Sequence, residues 1–252
     1  MNRTRKSTLP PMRRQRGFSL VELMVTVAIA MFLLFGLVTI VQNVRQTNLN
    51  QTALAQLQDQ QRFTLTAITD SVEAAGYFAD PTVDTTSAFP VQGVFGAGWV
   101  FAGSHVGGAT PDTLSTRFQT APNYGPILCD GTDTSLLAAQ IWTVTFSVNP
   151  FAPNGGQLNC QVNNNLPVAV VSGVQNMVVY YGVKHDTALV DYNVDTYETF
   201  DVLQVSGTDW QNISAVRIVL TFTNPLAGQV GQPPTLTLER VIEVMGRAGL
   251  HT

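Results

Sequence analysis

The hydrophobic pattern begins with one long apolar segment close to the N-terminus. Residues 18–41 contain a single charged side chain, Glu22, and the 19 residues from 23 to 41 contain none. A helix needs about 20 apolar residues to cross the hydrocarbon core of a bilayer. We therefore predict a transmembrane helix at residues 18–41.

Beyond residue 41 the pattern changes from uniformly apolar to amphipathic, and residues 42–78 are predicted to continue the same helix. No proline occurs from residue 12 to residue 80, and Gly36 is the only glycine from 18 to 75. Apolar positions recur at helical spacing, which indicates one stripe packed on a globular domain. This stripe consists of Leu54, Leu57, Leu65, Ile68, Val72 and Ala75. Gly76 is the predicted helix stop.

Residues 79–252 have the alternating pattern of β-strands and form the predicted globular domain. The stretch 79–112 is rich in Gly, Thr, Ser and Pro and is typical of loops with short strands. Strand patterns follow in segments 114–118, 142–148, 168–171, 177–183, 216–222 and 236–244. We expect an antiparallel sheet of about five or six strands. A long helix packed on such a sheet is an α+β fold.

Charge is distributed unevenly and orients the chain in a membrane. Residues 1–17 hold six of the 13 basic residues and no acid, which leaves seven basic residues against 17 acids and a net charge of −10 for 18–252. The basic leader is predicted to stay in the cytoplasm, and the domain after the apolar segment to lie outside. The acidic remainder argues against nucleic-acid binding.

Three interpretations of the N-terminal segment compete. A cleaved secretory signal would have a small-residue site directly after the apolar run, but the nearest A-x-A pattern is residues 53–55. An uncleaved signal anchor fits the apolar run but gives no role to Glu22. A carboxylate in such a segment is costly and usually functional, so a role for Glu22 is expected. A retained, processed segment is the third interpretation.

The third interpretation follows from a resemblance to a known family. The sequence Arg-Arg-Gln-Arg-Gly-Phe-Ser-Leu-Val-Glu-Leu at 13–23 resembles the prepilin peptidase site of type IV pilins and of type II secretion pseudopilins. The resemblance implies cleavage between Gly17 and Phe18, so that residues 1–17 are a removed leader, and N-methylation of the new Phe18 amine. In a bundle of such helices, that amine can meet the Glu22 carboxylate of a neighbouring subunit, which makes both charges tolerable and sets the register.

Later segments resemble the PilW family of minor pilins. These segments are Arg62-Phe63 with 75–78, 171–175 with 180–183, 210–218, and the cysteine pair with Asp130-Gly131. The resemblance implies a minor pilin, a structural subunit that takes part in priming pilus assembly at or near the tip. Its implied partners are prepilin peptidase, the inner membrane, other minor pilins, the major pilin and a tip adhesin. It also implies an inner-membrane protein that later joins a cell-surface pilus.

Two cysteines, Cys129 and Cys160, are the candidates for covalent cross-linking. In an exported chain, two well-separated cysteines predict one disulfide. The alternative is a pair of buried free thiols.

The sequence offers little that could support catalysis, and we expect neither an enzyme nor a bound cofactor. The three histidines, His105, His185 and His251, are scattered and make no metal-ligand spacing with each other or with cysteine. Asp191, Asn193 and Asp195 resemble the first half of a calcium loop but lack its later Gly and Glu, so they are a weak calcium candidate and otherwise a solvated acidic loop.

Three rival functions remain at this level. A J-like minor pseudopilin of a type II secretion system would share the leader and the architecture. A monomeric, signal-anchored binding domain would keep its N-terminus and have no use for Glu22. A DNA-uptake subunit would need a basic patch, whereas the basic residues after residue 17 are scattered along the chain.

Overall fold

The computed structural model describes residues 17–80, 82–105, 110–185, 194–206 and 209–244. The chain divides into two compact units, Met1–Gln51 and Thr52–Thr252. The first helix contributes to both units, and its two parts are described separately below.

Helix α1 extends from Leu20 to Ala74, over 55 residues. It covers nearly all of the range that the sequence predicts. Its end is fixed by Gly76, which has a φ of +81° and whose N–H donates to the carbonyl of Arg117 at 3.0 Å. Glycine adopts this left-handed conformation without steric cost, and a left-handed residue stops a helix. The predicted helix stop at Gly76 is therefore confirmed.

Within the second unit, α1 buries one stripe against the β-strands. Leu57, Ile68 and Val72 are buried, and so is Ala75 just beyond the helix. Two polar residues share the stripe: Thr64 is fully buried, and Ser71 pairs its hydroxyl with that of Thr116 at 2.7 Å. The spacing of the apolar residues predicted the stripe, but it did not predict that Thr64 and Ser71 are buried in it.

Five strands that follow one another along the chain form the first sheet. They are β1 (Phe101–Ser104), β2 (Thr113–Gln119), β3 (Ile141–Asn149), β4 (Gln157–Val162) and β5 (Val168–Ser172), in the order β1-β2-β3-β4-β5. Every neighbouring pair is antiparallel. In β3 the buried residues Trp142, Val144 and Phe146 alternate with partly exposed ones, so one face of this sheet belongs to the core.

A second antiparallel sheet contains the remaining described strands. These are β6 (Val174–Val183), β7 (Thr196–Glu198), β8 (Ile213–Thr223) and β9 (Thr235–Glu243), in the order β7-β6-β8-β9. Only Gly173 separates β5 from β6, and its φ of +82° lets the chain pass from one sheet to the other. Two short helices, α2 (Thr85–Ala88) and α3 (Phe200–Ser206), lie in the connections.

The α+β prediction is confirmed, but the expected strand count was too low. The described residues contain nine strands in two sheets instead of five or six in one. The additional strands β1, β4 and β7 are short or rich in Gln and Asn, residues that are not enriched in strands. Apolar side chains from both sheets and from α1 belong to one continuous core.

Candidate functional site

The candidate site at the N-terminus begins in extended chain just before α1. Gly17, Phe18 and Ser19 are outside the helix, and the Phe18 side chain is 82% exposed. Apart from its chain neighbours, no described residue has a heavy atom within 4 Å of the position that a Cβ on Gly17 would take. The Gly17–Phe18 peptide bond is therefore accessible in the folded chain, and the chain's own structure leaves room for a side chain at position 17.

Ser19 caps α1 at its N-terminus. Its hydroxyl oxygen accepts the Glu22 N–H at 3.3 Å, and its carbonyl accepts the Leu23 N–H at 3.2 Å. A serine cap with glutamate three residues later is the capping-box pattern, so the sequence contains a signal for this cap, although no role was predicted for Ser19. The cap fixes Glu22 in the first turn of α1, where a negative charge interacts favourably with the helix dipole.

The helix that follows Glu22 exposes apolar side chains on all of its faces. Every side chain from 17 to 49 is exposed, and the stretch from 23 to 41 contains no charge. Two threonines interrupt that uncharged stretch, but Thr26 donates to the Leu23 carbonyl and Thr39 to the Phe35 carbonyl, both at 2.9 Å. Because these hydroxyls are bonded within the helix, their cost in an apolar environment is reduced. By length and composition, this helix can span a membrane.

The two cysteines meet in the β domain. Cys129, in the loop between β2 and β3, is joined to Cys160 of β4 by a disulfide, with a Cα–Cα distance of 6.2 Å. Cys160 is fully buried between Leu158 and Val162, which are buried on the same strand. The bond therefore fastens the β2–β3 loop to the second half of the same sheet. The alternative of two free thiols does not apply to this structure.

A groove of about 350 Å³ lies beside this loop. One wall comes from α1, at positions including Phe63, Ala67 and Asp70, and the other from the loop residues 126–129. Phe63 and Ile127 are 57% and 70% exposed. The disulfide thus holds one wall of an open, mainly apolar groove.

Arg117 on β2 is fully buried, which the alternating pattern of the sequence did not predict. Its guanidinium donates to the carbonyls of Phe89, Pro90, Gly96 and Trp99 and lies 4.8 Å from the centre of the Phe95 ring. Burial lowers the pKa of Arg117 to about 10, so the group is still charged at neutral pH. The residue organises the loop between α2 and β1 around a single cation.

The other predicted site residues are placed less completely. The basic leader before Gly17 and the calcium candidates Asp191 and Asn193 lie outside the described residues. Asp195 is described, and its carboxylate accepts the His185 N–H at 2.8 Å. In the part of the chain that the structure describes, no cluster of three or more His, Cys, Asp or Glu side chains could hold a metal ion.

Two family models match separate parts of the chain. The family described as "Type IV Pilus-assembly protein W" matches residues 153–241, which extend from the turn before β4 into β9. The "Prokaryotic N-terminal methylation motif" matches residues 12–38, which contain Gly17, Phe18 and Glu22. Neither description is that of an enzyme family.

Two further comparisons complete these findings. No curated protein matches the chain. Among solved structures, a type IV-like pilin, TTHA1219 from Thermus thermophilus, aligns with 12% sequence identity and a TM-score of 0.42, covering 77% of this chain and 97% of that one.

Proposed function

We propose that this chain, a PilW-like type IV pilin with an N-terminal methylation motif, is a minor pilin that takes part in priming pilus assembly at or near the pilus tip. The observation that carries the proposal is the arrangement at 17–22. An accessible Gly17–Phe18 bond directly precedes a capped helix, the helix has Glu22 in its first turn, and a continuous apolar surface follows.

The first step is processing at the cytoplasmic face of the inner membrane. Prepilin peptidase cuts between Gly17 and Phe18 and leaves a chain of 235 residues, 18–252, whose new Phe18 amine is then methylated. The bond is outside α1, so the cut breaks no hydrogen bond of the helix. The apolar part of α1 holds the processed subunit in the membrane, and the β domain lies on the opposite side from the leader.

The second step is assembly through Glu22. The Phe18 amine of a neighbouring subunit is positive at neutral pH, and in the apolar interior of a helix bundle it would pair with the Glu22 carboxylate. Each charge alone is costly there, so a subunit at the wrong height leaves both unpaired. We infer that the pair sets the register of this subunit against other minor pilins and the major pilin.

The charge of the processed chain indicates the kind of partner that it meets. The net charge of −10 after residue 17 favours protein partners, such as other pilins and a tip adhesin, over nucleic acid. The secretion-system alternative is not favoured, because the family that matches 153–241 is described by pilus assembly.

Processing can be tested directly on protein extracted from the membrane. Mass spectrometry should find a chain that begins at Phe18 with a methylated amine. Gly17→Ala should block the cut. Because the described residues beyond its chain neighbours leave the added methyl free of contacts within 4 Å, the block would reflect recognition by the peptidase and not misfolding. An intact Met1 in cells with a working peptidase would refute the proposal.

The biological role can be tested in a deletion strain of the producing organism. Loss of sheared surface pili, restored by the wild-type gene, is the expected result. Normal pili with secreted enzymes retained in the periplasm would instead identify a pseudopilin. Normal pili and normal secretion together would contradict both assignments.

A further inference from the structure

His105 stands where three elements of the β domain meet. It directly follows β1, and its Nδ1 lies 2.5 Å from an oxygen of Asp112, which directly precedes β2. Its Nε2 lies 3.7 Å from the carboxylate of Asp201, in the first turn of α3. One imidazole therefore faces two carboxylates on opposite sides of its ring.

Asp112 connects the two sheets. The residue is 3% exposed, its second carboxylate oxygen accepts the Val179 N–H at 2.9 Å, and its own N–H donates to the Met177 carbonyl at 2.9 Å. Both partners belong to β6, whereas Asp112 leads into β2 of the other sheet. A buried carboxylate is costly unless a positive group compensates it, and His105 is the ion-pair partner found for Asp112 among the described residues.

Helix α3 depends on tertiary contacts for its stability. It has seven residues, and isolated helices of that length are unstable in water. Leu203 is buried, and the Phe200 ring lies 5.6 Å from the Trp210 ring in an edge-to-face arrangement. Val202 and Val205 are 50% and 90% exposed. A small change in its contacts should therefore be visible in how often α3 opens.

We propose that His105 is a proton-gated clasp that, when protonated, bridges Asp112 and Asp201 and holds α3 against the junction of the two sheets. When the imidazole is neutral, one nitrogen can still bond to Asp112, but the attraction to Asp201 is lost. Loss of the proton therefore weakens the attachment of α3 and leaves the contacts of Asp112 in the core in place. This inference is independent of the proposed function of the chain.

The direction of the pH dependence follows from the surroundings of the ring. The hydrogen bond to Asp112 raises the pKa of His105 above its usual 6.5, burial opposes the shift, and the charges of Asp112 and Asp201 add to it. A raised folded-state pKa means that the stabilising contribution is complete below pH 6.5 and is lost as the pH rises through the raised value. Burial and the charge of Asp112 also raise the pKa of the neighbouring Tyr181, so that hydroxyl stays protonated over this range.

Hydrogen exchange of the full-length protein in detergent micelles tests the clasp. Exchange would be followed by mass spectrometry at pH 5.5 and pH 8.5, with each rate divided by the intrinsic rate at that pH. In the wild type, the protection factors of the amides of 201–206 should fall by a factor of about two to five at the higher pH. This is the range expected for one partly exposed ion pair. Asp201→Asn should abolish this difference, and because Asp201 is 60% exposed the variant should fold normally.

A matched variant separates the clasp from a general effect of charge. Glu239→Gln removes another exposed carboxylate, one whose partner, Arg217, lies 3.6 Å away and does not titrate between these pH values. This variant should keep the wild-type pH dependence in 201–206. No pH dependence in the wild type, an unchanged dependence in Asp201→Asn, or its loss in Glu239→Gln would overturn the proposal.

Discussion

At the residue scale, Arg117 shows how a charge can be buried among backbone carbonyls. Its acceptors are four backbone carbonyls of the loop between α2 and β1, and aromatic rings cover its guanidinium. Alternate residues of a strand point to opposite faces, so the sequence pattern predicts that residue 117, between Thr116 and Phe118, points away from the core. Its burial depends on the loop that folds over it, and a local pattern contains no information about that contact.

Replacing Arg117 should destabilise the domain strongly. Arg117→Met keeps most of the apolar volume but leaves the four carbonyls without their donor, at an expected cost of about 3–4 kcal/mol. Arg217→Met is the matched control on a strand of the other sheet, because Arg217 is partly exposed and its ion pair with Glu239 is 3.6 Å long; it should cost less than about 1 kcal/mol. Urea unfolding followed by tryptophan fluorescence in micelles measures both, and equal costs would contradict this role for Arg117.

Glu22 is the residue for which we predict an effect on assembly without an effect on folding. Glu22→Ala should be cut normally, since the proposed cut is at the Gly17–Phe18 bond, and should insert into the membrane at least as well as the wild type. It should nevertheless be absent from sheared filaments, because a neighbour's Phe18 amine has no carboxylate to meet. Mass spectrometry of the membrane fraction and immunoblots of sheared filaments make the comparison.

Two further substitutions test the pairing argument for Glu22. Glu22→Gln keeps the size and loses the charge, so it should behave like Glu22→Ala. Glu22→Asp should retain partial incorporation. Wild-type incorporation of both the Ala and the Gln variants would show that the carboxylate has no part in assembly.

At the scale of secondary-structure elements, the end of α1 depends on one glycine. Gly76→Ala would force an alanine to a φ of +81° and bring its Cβ to 3.4 Å from the Val100 side chain. We expect a loss of about 1 kcal/mol of stability from the backbone conformation. Gly36→Ala is a useful contrast, since nothing lies within 4 Å of that position and alanine favours helix. Thermal unfolding by circular dichroism should separate the two, and equal melting temperatures would contradict the role of Gly76.

The strands show which elements a sequence can predict. The long alternating segments became β2, β3, β6, β8 and β9. One face of β3, β6 and β8 is buried in the core, β2 is buried on both faces, and β9 buries Ile242. The segment that became β4 was missed because Gln157, Asn159 and Gln161 dilute its apolar alternation, although Leu158, Cys160 and Val162 are buried. The division into two sheets depends on pairings between distant residues, such as Val179 with Ile218, which no local pattern specifies.

The proposed N-terminal site is local in sequence, in contrast to the contacts of the β domain. The roles that we propose for Gly17, Phe18 and Glu22 need only short-range chemistry: a cleavable bond, a new amine and a carboxylate in the first turn of one helix. Their spacing along the chain is therefore nearly their spacing in space. Arg117 and the His105 cluster depend instead on loops and strands that are distant in sequence, so only the folded structure brings their partners together.

At the scale of the whole molecule, the disulfide is a covalent constraint on the β domain. Closing the loop between residues 31 positions apart should contribute roughly 3.5–4 kcal/mol in the chain-entropy model. Cys129→Ser with Cys160→Ser should lower the unfolding free energy by a few kcal/mol, mainly by loosening the β2–β3 loop, and should leave α1 in the membrane. Equal urea midpoints for the double variant and the wild type would contradict this prediction.

The disulfide also determines what a protease could remove from the β domain. Phe151, at the tip of the β3–β4 turn, is 94% exposed and lies between the two bonded cysteines. A cut after Phe151 would leave two fragments that remain covalently linked, with β3 and β4 still paired. A cut beside Leu166, which is 87% exposed, would fall outside the closed loop and leave the fragments joined by noncovalent contacts alone. The two sites are similarly exposed, so the position of the disulfide decides the outcome of a cut. The fragments stay covalently joined after a cut at Phe151, whereas a cut at Leu166 allows the C-terminal sheet to be lost.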